Sequence, residues 1–114
     1  MMNESFVSTH FEIPGYRLTK TLGIVRGLVV RVPTISQGFF GGLNSILGGK
    51  NASYAEMCES ARGEAYAAMV QHAESMGANA IISVRYDSSD LSGRNSSSTT
   101  ELLCYGTAAV IVPL

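Results

Sequence analysis

The stretch that decides the fold is TTELLCYGTAAVIV, Thr99 to Val112, close to the end of the chain. Successive side chains of a β-strand point to opposite faces, and here both faces are apolar. The two faces carry Leu102, Cys104, Ala108, Val110 and Val112 on one side, and Leu103, Tyr105, Ala109 and Ile111 on the other. A strand that is apolar on both faces is buried on both. We therefore predict a central strand that needs two covers.

One cover is a helix, which we predict over residues 52–76. Asn51 or Ser53 is suited to cap its start, and Gly77 follows as its C-terminal stop. At 100° per residue, one stripe of this helix is apolar and short in side chains, which lets a sheet approach closely. The stripe contains Tyr54, Cys58, Ala61, Ala65, Met69 and Met76. Gly63 lies opposite the stripe, where it costs roughly 1 kcal/mol relative to alanine without an obvious packing return.

Three further segments have the composition of strands. Residues 16–32 are rich in Leu, Ile, Val and Thr but contain two glycines, which predicts one long kinked strand or two consecutive ones. Residues 79–86 predict a strand, followed by a polar loop at 87–97, and residues 8–13 predict a short strand. One face of 16–32 is mostly apolar and includes Leu18, Leu22, Ile24, Leu28, Val30 and Val32.

The composition indicates a globular chain that meets other protein. Its 114 residues fit one domain, 1–114, of which we expect 1–7 to be flexible. Only 15% of the residues are charged, against roughly 25% in ordinary domains, so part of the surface is expected to be covered. One helix covers one face of the final strand, and we predict that a second copy of the chain covers the other.

The charge balance and the cysteines narrow the class of protein. The net charge is −1 and lacks the basic excess of a nucleic-acid-binding domain. No apolar run is long enough for a signal peptide or a membrane span, so we predict a soluble, cytoplasmic protein without membrane or nucleic-acid partners. Cys58 and Cys104 are far apart in sequence, which favours reduced thiols over a disulfide.

A glycine-rich segment, residues 38–50, precedes the predicted helix and predicts a loop with one short helical segment. Free backbone amides and the helix dipole favour an anion at such a helix start. The residues that would form this anion site are Gly48, Gly49, Lys50, Asn51 and Ser53. The phosphate-loop pattern fails, because Lys50 is followed by Asn51 rather than Ser or Thr. The alternative interpretation is a loop that only packs against the core or a neighbouring subunit.

Other side chains could carry chemistry, but none forms a recognised motif. Arg62 lies at the edge of the apolar stripe and either pairs with an acidic group or reaches a ligand. Metal ligands are available at His10, Cys58, His72 and Cys104, without a metal-binding spacing. A separation of ~21 Å along the helix prevents Cys58 and His72 from sharing one ion within a chain. We predict no catalytic residue, since no nucleophile has a base in a familiar arrangement.

Several short motifs resemble those of the YbjQ-like family, between about Ser8 and Val112. The more specific ones are the Gly-Gly-Lys loop and the Gly-Ala-Asn-Ala sequence after the helix. The motifs are Gly15-Tyr16, Leu22-Gly23-Ile24-Val25-Arg26-Gly27, Gly48-Gly49-Lys50 before Tyr54, Ala61-Arg62 with Ala65, Gly77-Ala78-Asn79-Ala80-Ile81-Ile82, and Tyr105-Gly106-Thr107-Ala108-Val110. The resemblance implies a dodecin-like α+β subunit, assembly as a pentamer, and a heavy-metal-binding label without an established activity.

These observations lead to one expected architecture and several possible functions. We expect an α+β subunit, an antiparallel sheet packed on one main helix, that assembles into a homo-oligomeric ring. The favoured function is non-catalytic binding of a small, anionic molecule at a subunit interface near the glycine-rich loop, involving Arg62 and no cofactor. The alternatives are a heavy-metal-binding protein, whose metal ion would be its cofactor, a structural ring without any ligand, and, least supported, an enzyme.

Overall fold

The structure is a computed structural model that describes residues 2–31, 50–90 and 100–114, and the side chains of these residues except 50–55 and 90. Its three strands form one antiparallel sheet in the order β1-β3-β2, and one helix packs on one face. The α+β class is therefore confirmed. The elements are a 3₁₀ turn at Glu4–Phe6, β1 at Tyr16–Arg31, α1 at Lys50–Ser75, β2 at Ala80–Asp90 and β3 at Thr100–Pro113.

Strand β3 is central, as its two apolar faces predict. It pairs with β1 along its whole length and with β2 on its other side. Strand β2 continues to Asp90 instead of ending at Tyr86, because its polar residues Ser88 and Ser89 still pair with β3. The predicted start of the polar loop at residue 87 is therefore wrong, because residues 87–90 belong to β2, and residues 91–99 lie outside the described residues.

The sheet-facing side of α1 is a line of small residues that lets the helix backbone lie directly on β1. A Cβ atom on Gly27 of β1 would lie 1.9 Å from the carbonyl oxygen of Ala65, which leaves space only for glycine. The fully buried helix residues are Ala61, Ala65, Met69 and Ala73. Three of them belong to the predicted stripe, whereas Met76 is 38% exposed. No helix within the described ranges is long and apolar enough to cross a membrane.

The more apolar face of β1 points away from α1. Val25 is fully buried on the helix side, and strand alternation places Ile24 on the opposite side, where it is 73% exposed. The second face of the sheet lies opposite α1. We call the part of it that runs from the middle of the sheet to the C-terminal ends of β1 and β2 the open sheet face. Its apolar residues are Ile24, Leu28, Val30, Leu103 and Tyr105.

The N-terminal segment covers the other end of this second face. Ile13 packs in a cluster with Ala80, Ile82, Ala109 and Ile111, and the rings of Phe6 and Tyr16 meet edge to face at 4.8 Å. Part of the second cover that β3 needs is therefore the chain itself. The predicted short strand at 8–13 is not formed, because residues 9–12 form bends and the segment meets β2 only through an isolated bridge at Val7 and backbone hydrogen bonds of Ser8 and His10.

The turn after α1 fixes β2 against β3. Gly77 has φ +87° and ends the helix as predicted, with its N–H donating to the carbonyl of Glu74. The side chain of Asn79 then accepts from the N–H of Ile111 at 2.8 Å and donates to its carbonyl at 2.9 Å. This amide clamp gives the Gly-Ala-Asn-Ala motif a structural role at the start of β2.

A β-bulge in β2 decides which of its side chains face the helix. The register shifts between Ile82 and Arg85, and Ser83 within the bulge has φ +55°. One extra residue changes the parity of the strand. Val84 consequently belongs to the core under α1, and Tyr86 points to the same side.

Candidate ligand groove

A groove of about 520 Å³ runs between α1 and the edge of the sheet formed by β2. It exists because α1 packs mainly over β1 and β3 and leaves the helix side of β2 partly uncovered. We call it the α1–β2 groove. Its lining consists of Glu4, Glu59, Arg62, Gly63, Tyr66 and Tyr86.

The helix supplies four of these residues at spacings of three and four. Glu59, Arg62, Gly63 and Tyr66 share one helix face for this reason. Gly63 lies at the centre of the face, and a Cβ atom there would meet no atom within 4 Å. The glycine that weakens the helix therefore widens the groove.

Arg62 is held only weakly by its own helix. Its Nη1 atom lies 4.0 Å from the Oε2 atom of Glu59, and both side chains are substantially exposed, at 49% and 81%. An exposed pair at this distance contributes on the order of 0–1 kcal/mol. The guanidinium consequently retains hydrogen-bond donors for another partner in the groove.

Two phenols flank the guanidinium and stay protonated at neutral pH. Burial, followed by the interaction with Cys104, raises the pKa of Tyr86 to about 12. Burial, followed by the charges of Glu4 and Cys104, also raises the pKa of Tyr66. The hydroxyl group of Tyr66 can therefore donate a hydrogen bond to a ligand, whereas that of Tyr86 donates to Cys104.

A pair of sulfur atoms lies beneath the groove. Cys104 Sγ is 3.6 Å from Met69 Sδ, and both residues are fully buried. The side chains of Tyr86 and Cys104 are hydrogen-bonded, which connects the sulfur pair to the groove wall. Burial raises the pKa of the Cys104 thiol, and the hydrogen bond from Tyr86 offsets this in part.

The other predicted metal ligands lie in separate places. Cys58 is a half-buried free thiol on α1, and His10 is exposed on the N-terminal segment. His72 is exposed and its Nδ1 atom accepts a hydrogen bond from the Arg26 amide at 3.3 Å. Within the described ranges no three His, Cys, Asp or Glu side chains form a metal-binding group. A zinc site of the usual composition therefore does not form from these residues of one chain.

The predicted anion site falls mostly outside the described residues. Gly48 and Gly49 lie outside them, whereas Lys50, Asn51 and Ser53 form the first turn of α1 with their side chains undescribed. The anion site therefore stays a prediction. Arg62 is twelve residues further on, about 18 Å along the axis. Within one chain, Arg62 belongs to the α1–β2 groove and not to the loop.

Sequence reasoning named Arg62 but missed the other groove residues. The spacing of Glu59, Arg62 and Tyr66 on one helix face was a usable signal, and the unexplained Gly63 marked its centre. Tyr86 carried no such signal, because an unpredicted bulge sets the direction of its side chain.

Comparisons with known proteins agree on a family and a fold. A family model described as "Putative heavy-metal-binding" matches residues 5–112. A UPF0145 protein of Chromobacterium violaceum is 46% identical over the whole chain and 94% of its own length. A UPF0145 protein of Legionella pneumophila strain Philadelphia 1 is 50% identical, covering 92% of this chain and 96% of its own length.

One solved structure shows the same fold. It is the crystal structure of a protein of unknown function from Pediococcus pentosaceus, assigned to the DUF74 family. The TM-score is 0.66, with 96% of this chain and 100% of that chain covered. At 14% sequence identity the likeness shows the fold alone.

Proposed function

The chain belongs to the YbjQ family of UPF0145 proteins, and on this premise we propose that it is a non-catalytic, homo-oligomeric protein that binds a small anion. The observation that carries the proposal is the position of Arg62, which lines the α1–β2 groove with a weak ion pair of its own. A cation with free donors in a concave, partly aromatic surface is suited to an anionic ligand.

The lining limits the size and charge of this ligand. The aromatic rings of Tyr66 and Tyr86 offer apolar surface to a flat group, and the hydroxyl of Tyr66 offers a donor. Glu4 and Glu59 line the same groove and repel a high negative charge. A monoanion with a flat apolar part, such as an aromatic carboxylate, matches this combination.

The proposal is non-catalytic because neither phenol of the groove is activated as a nucleophile, since the pKa values of both Tyr66 and Tyr86 are raised. We also place the protein in the cytoplasm. Both Cys58 and Cys104 are free thiols, and a reducing compartment maintains thiols in that state.

Self-association is supported by the open sheet face. Ile24, Leu28 and Val30 are 73%, 54% and 48% exposed on the outward face of β1, and a patch of this kind marks an interaction surface. The same face carries both charge signs, at Arg26, Arg85, Asp87 and Glu101. A second copy of the chain can therefore match it in hydrophobicity and in charge, and we propose a ring, with a pentamer as the family resemblance implies.

The edge of β2 supports an interface beside the ligand. Within the described residues, the N-terminal segment pairs with β2 only between Ile81 and Val84: the Ser8 N–H donates to Ile81, and the carbonyls of Ser8 and His10 accept from Val84 and Ser83. The rest of this edge borders the groove at Tyr86. A neighbouring subunit that pairs there would complete one wall of the site.

Heavy-metal binding is the second candidate function. It is favoured by one observation, the two adjacent sulfur atoms of Cys104 and Met69, and it agrees with the description of the family. Thiolate and thioether sulfur are ligands that soft metal ions prefer.

A thermal-shift experiment tests the ligand proposal and separates its two possible sites. Benzoate tests the groove, and inorganic phosphate tests the glycine-rich loop. We expect benzoate to raise the melting temperature of the wild-type protein with increasing concentration. Arg62→Gln should remove at least most of the benzoate shift, whereas Lys50→Ala should leave it unchanged and reduce only a phosphate shift.

Lys20→Gln is the matched control, because Lys20 is an exposed cation on β1 and does not line the groove. It removes the same unit of charge and should leave the benzoate shift intact. Equal shifts in wild type and Arg62→Gln would remove Arg62 from the site. No shift with benzoate or with phosphate would favour the structural ring without a ligand.

The assembly proposal is tested by Leu28→Lys, with light scattering as the measurement. Leu28 is 54% exposed in one chain, so the substitution should not unfold the subunit, but it places a charge within the proposed interface. We expect an oligomer for wild type and a monomer for the variant. A wild-type monomer at micromolar concentration would contradict the proposal.

A further inference from the structure

We propose that Cys104 and Met69 form a binding site for one soft monovalent metal ion, Cu(I) or Ag(I), beneath the α1–β2 groove. The inference rests on the second candidate function and assigns its site and its metal class. The thiol and thioether sulfurs are 3.6 Å apart, so both lie within reach of a single ion. Among the four ligands that the sequence predicts, Cys104 is the one with a second soft donor in contact.

The donor set determines the class of metal. Cysteine and methionine sulfurs are soft ligands that suit Cu(I), whereas zinc sites use Cys, His and carboxylates and do not employ thioethers. Among the described residues no group of three His, Cys, Asp or Glu competes with the sulfur pair. The surroundings are apolar, since Val25, Ala65 and Ala108 belong to the same core cluster. An environment without water protects a reduced ion from oxidation and hydrolysis.

Binding replaces the thiol proton by the metal ion. The S–H bond of Cys104 breaks, a sulfur–metal bond forms, and the proton passes to solvent, so no oxidant or reductant is needed. Because the metal ion must displace this proton, the affinity rises with pH. The net charge within the core stays zero, since a thiolate and a monovalent cation neutralise each other. A divalent ion would leave an uncompensated buried charge, which is costly.

The route to the site passes through the groove. Cys104 is fully buried, but the side chain hydrogen-bonded to it, Tyr86, is 49% exposed and lines the groove. Rotation of this ring is the movement by which an ion would reach Cys104 from the groove. Met69 can adjust to the ion because its side chain is unbranched and flexible.

The test is an Ag(I) titration of protein variants that all carry Cys58→Ala, so that one thiol remains per chain. Native mass spectrometry counts the ions, and tyrosine fluorescence reports binding, because the chain has five tyrosines and no tryptophan. We expect one ion per chain in the Cys58→Ala protein. Adding Met69→Leu, a substitution of similar volume, should weaken binding at least tenfold.

Met76→Leu in the same background is the matched control. Met76 is a partly exposed methionine directly after the end of α1. Its replacement should leave the affinity unchanged. An unaltered affinity in Met69→Leu would show that Met69 is not a ligand and overturn the two-sulfur site.

A third variant separates the failure of this site from the failure of metal binding. Cys104→Ala in the otherwise wild-type chain should lose the tightly bound ion. If Cys104→Ala binds as the wild type does and Cys58→Ala does not, the metal-binding function survives but the site is wrong. If the wild type binds no ion, both the site and the second candidate function are wrong.

Discussion

The two flanks of α1 differ in how much space they leave, although both contain a glycine. On the β1 flank, a methyl group at Gly27 would overlap the backbone of α1 at Ala65 and Met69. On the β2 flank, a methyl group at Gly63 would meet nothing. The helix therefore lies off-centre on the sheet. Its β1 flank is close-packed, and its β2 flank borders a groove.

Gly27→Ala should have the largest effect on this arrangement. The new Cβ atom would lie 1.9 Å from Ala65 O and 2.6 Å from Met69 N, and backbone atoms cannot move aside without shifting the helix. We expect a loss of at least about 3 kcal/mol in the free energy of unfolding, measured by urea denaturation. A variant as stable as wild type would show that α1 is not pressed onto β1.

Tyr86→Phe should have an intermediate effect that appears only at high pH. The pKa of Tyr86 is raised from 10 to about 12, so the folded protein holds this proton more tightly than the unfolded chain. Its contribution to stability is full below pH 10 and is lost as the pH rises towards 12. We expect wild type to lose stability over this interval and Tyr86→Phe to lose less of it.

Unfolding experiments between pH 9 and pH 12 check this difference. Tyr105→Phe, on the open sheet face, is the control and should follow the wild-type curve. A Tyr86→Phe curve parallel to wild type would mean that the phenol is not held against Cys104 at the groove wall.

Gly63→Ala should have the smallest effect, and of opposite sign. Alanine is a better helix former than glycine by roughly 1 kcal/mol, and the structure provides open space for its methyl group. We expect the free energy of unfolding to rise by up to about 1 kcal/mol. Destabilisation would show that the β2 flank of α1 is packed as closely as the β1 flank.

The sequence was sufficient for the parts of the fold that depend on local pattern. The two apolar faces of residues 99–112 predicted a central strand, and the helix stripe around Ala65 predicted the packed flank. Gly77 predicted the end of the helix. Each of these features follows from the periodicity or conformational preference of a few neighbouring residues.

The remaining features depend on contacts between distant segments. Strand β1 has one mostly apolar face, which includes Ile24, but the close approach at Gly27, on the other face with Val25, turns that less apolar face towards the helix. The N-terminal cover over Ile111 and the bulge at Ser83 likewise arise from pairing between segments far apart in sequence. For the site, the sequence indicated Arg62 and showed Gly63 as unexplained. The opposite wall of the groove, formed by Tyr86, could be found only from the structure, because the bulge in β2 sets the direction of this side chain.

The central claim is that the space beside Gly63 holds the ligand, and Gly63→Leu tests it most directly. The leucine side chain should fill the α1–β2 groove, while the open surroundings of this position let the subunit fold. Benzoate titration followed by thermal shift is the measurement. We expect a folded variant that has lost the benzoate shift of the wild type. A folded variant that keeps the full shift would contradict binding of the ligand in the α1–β2 groove.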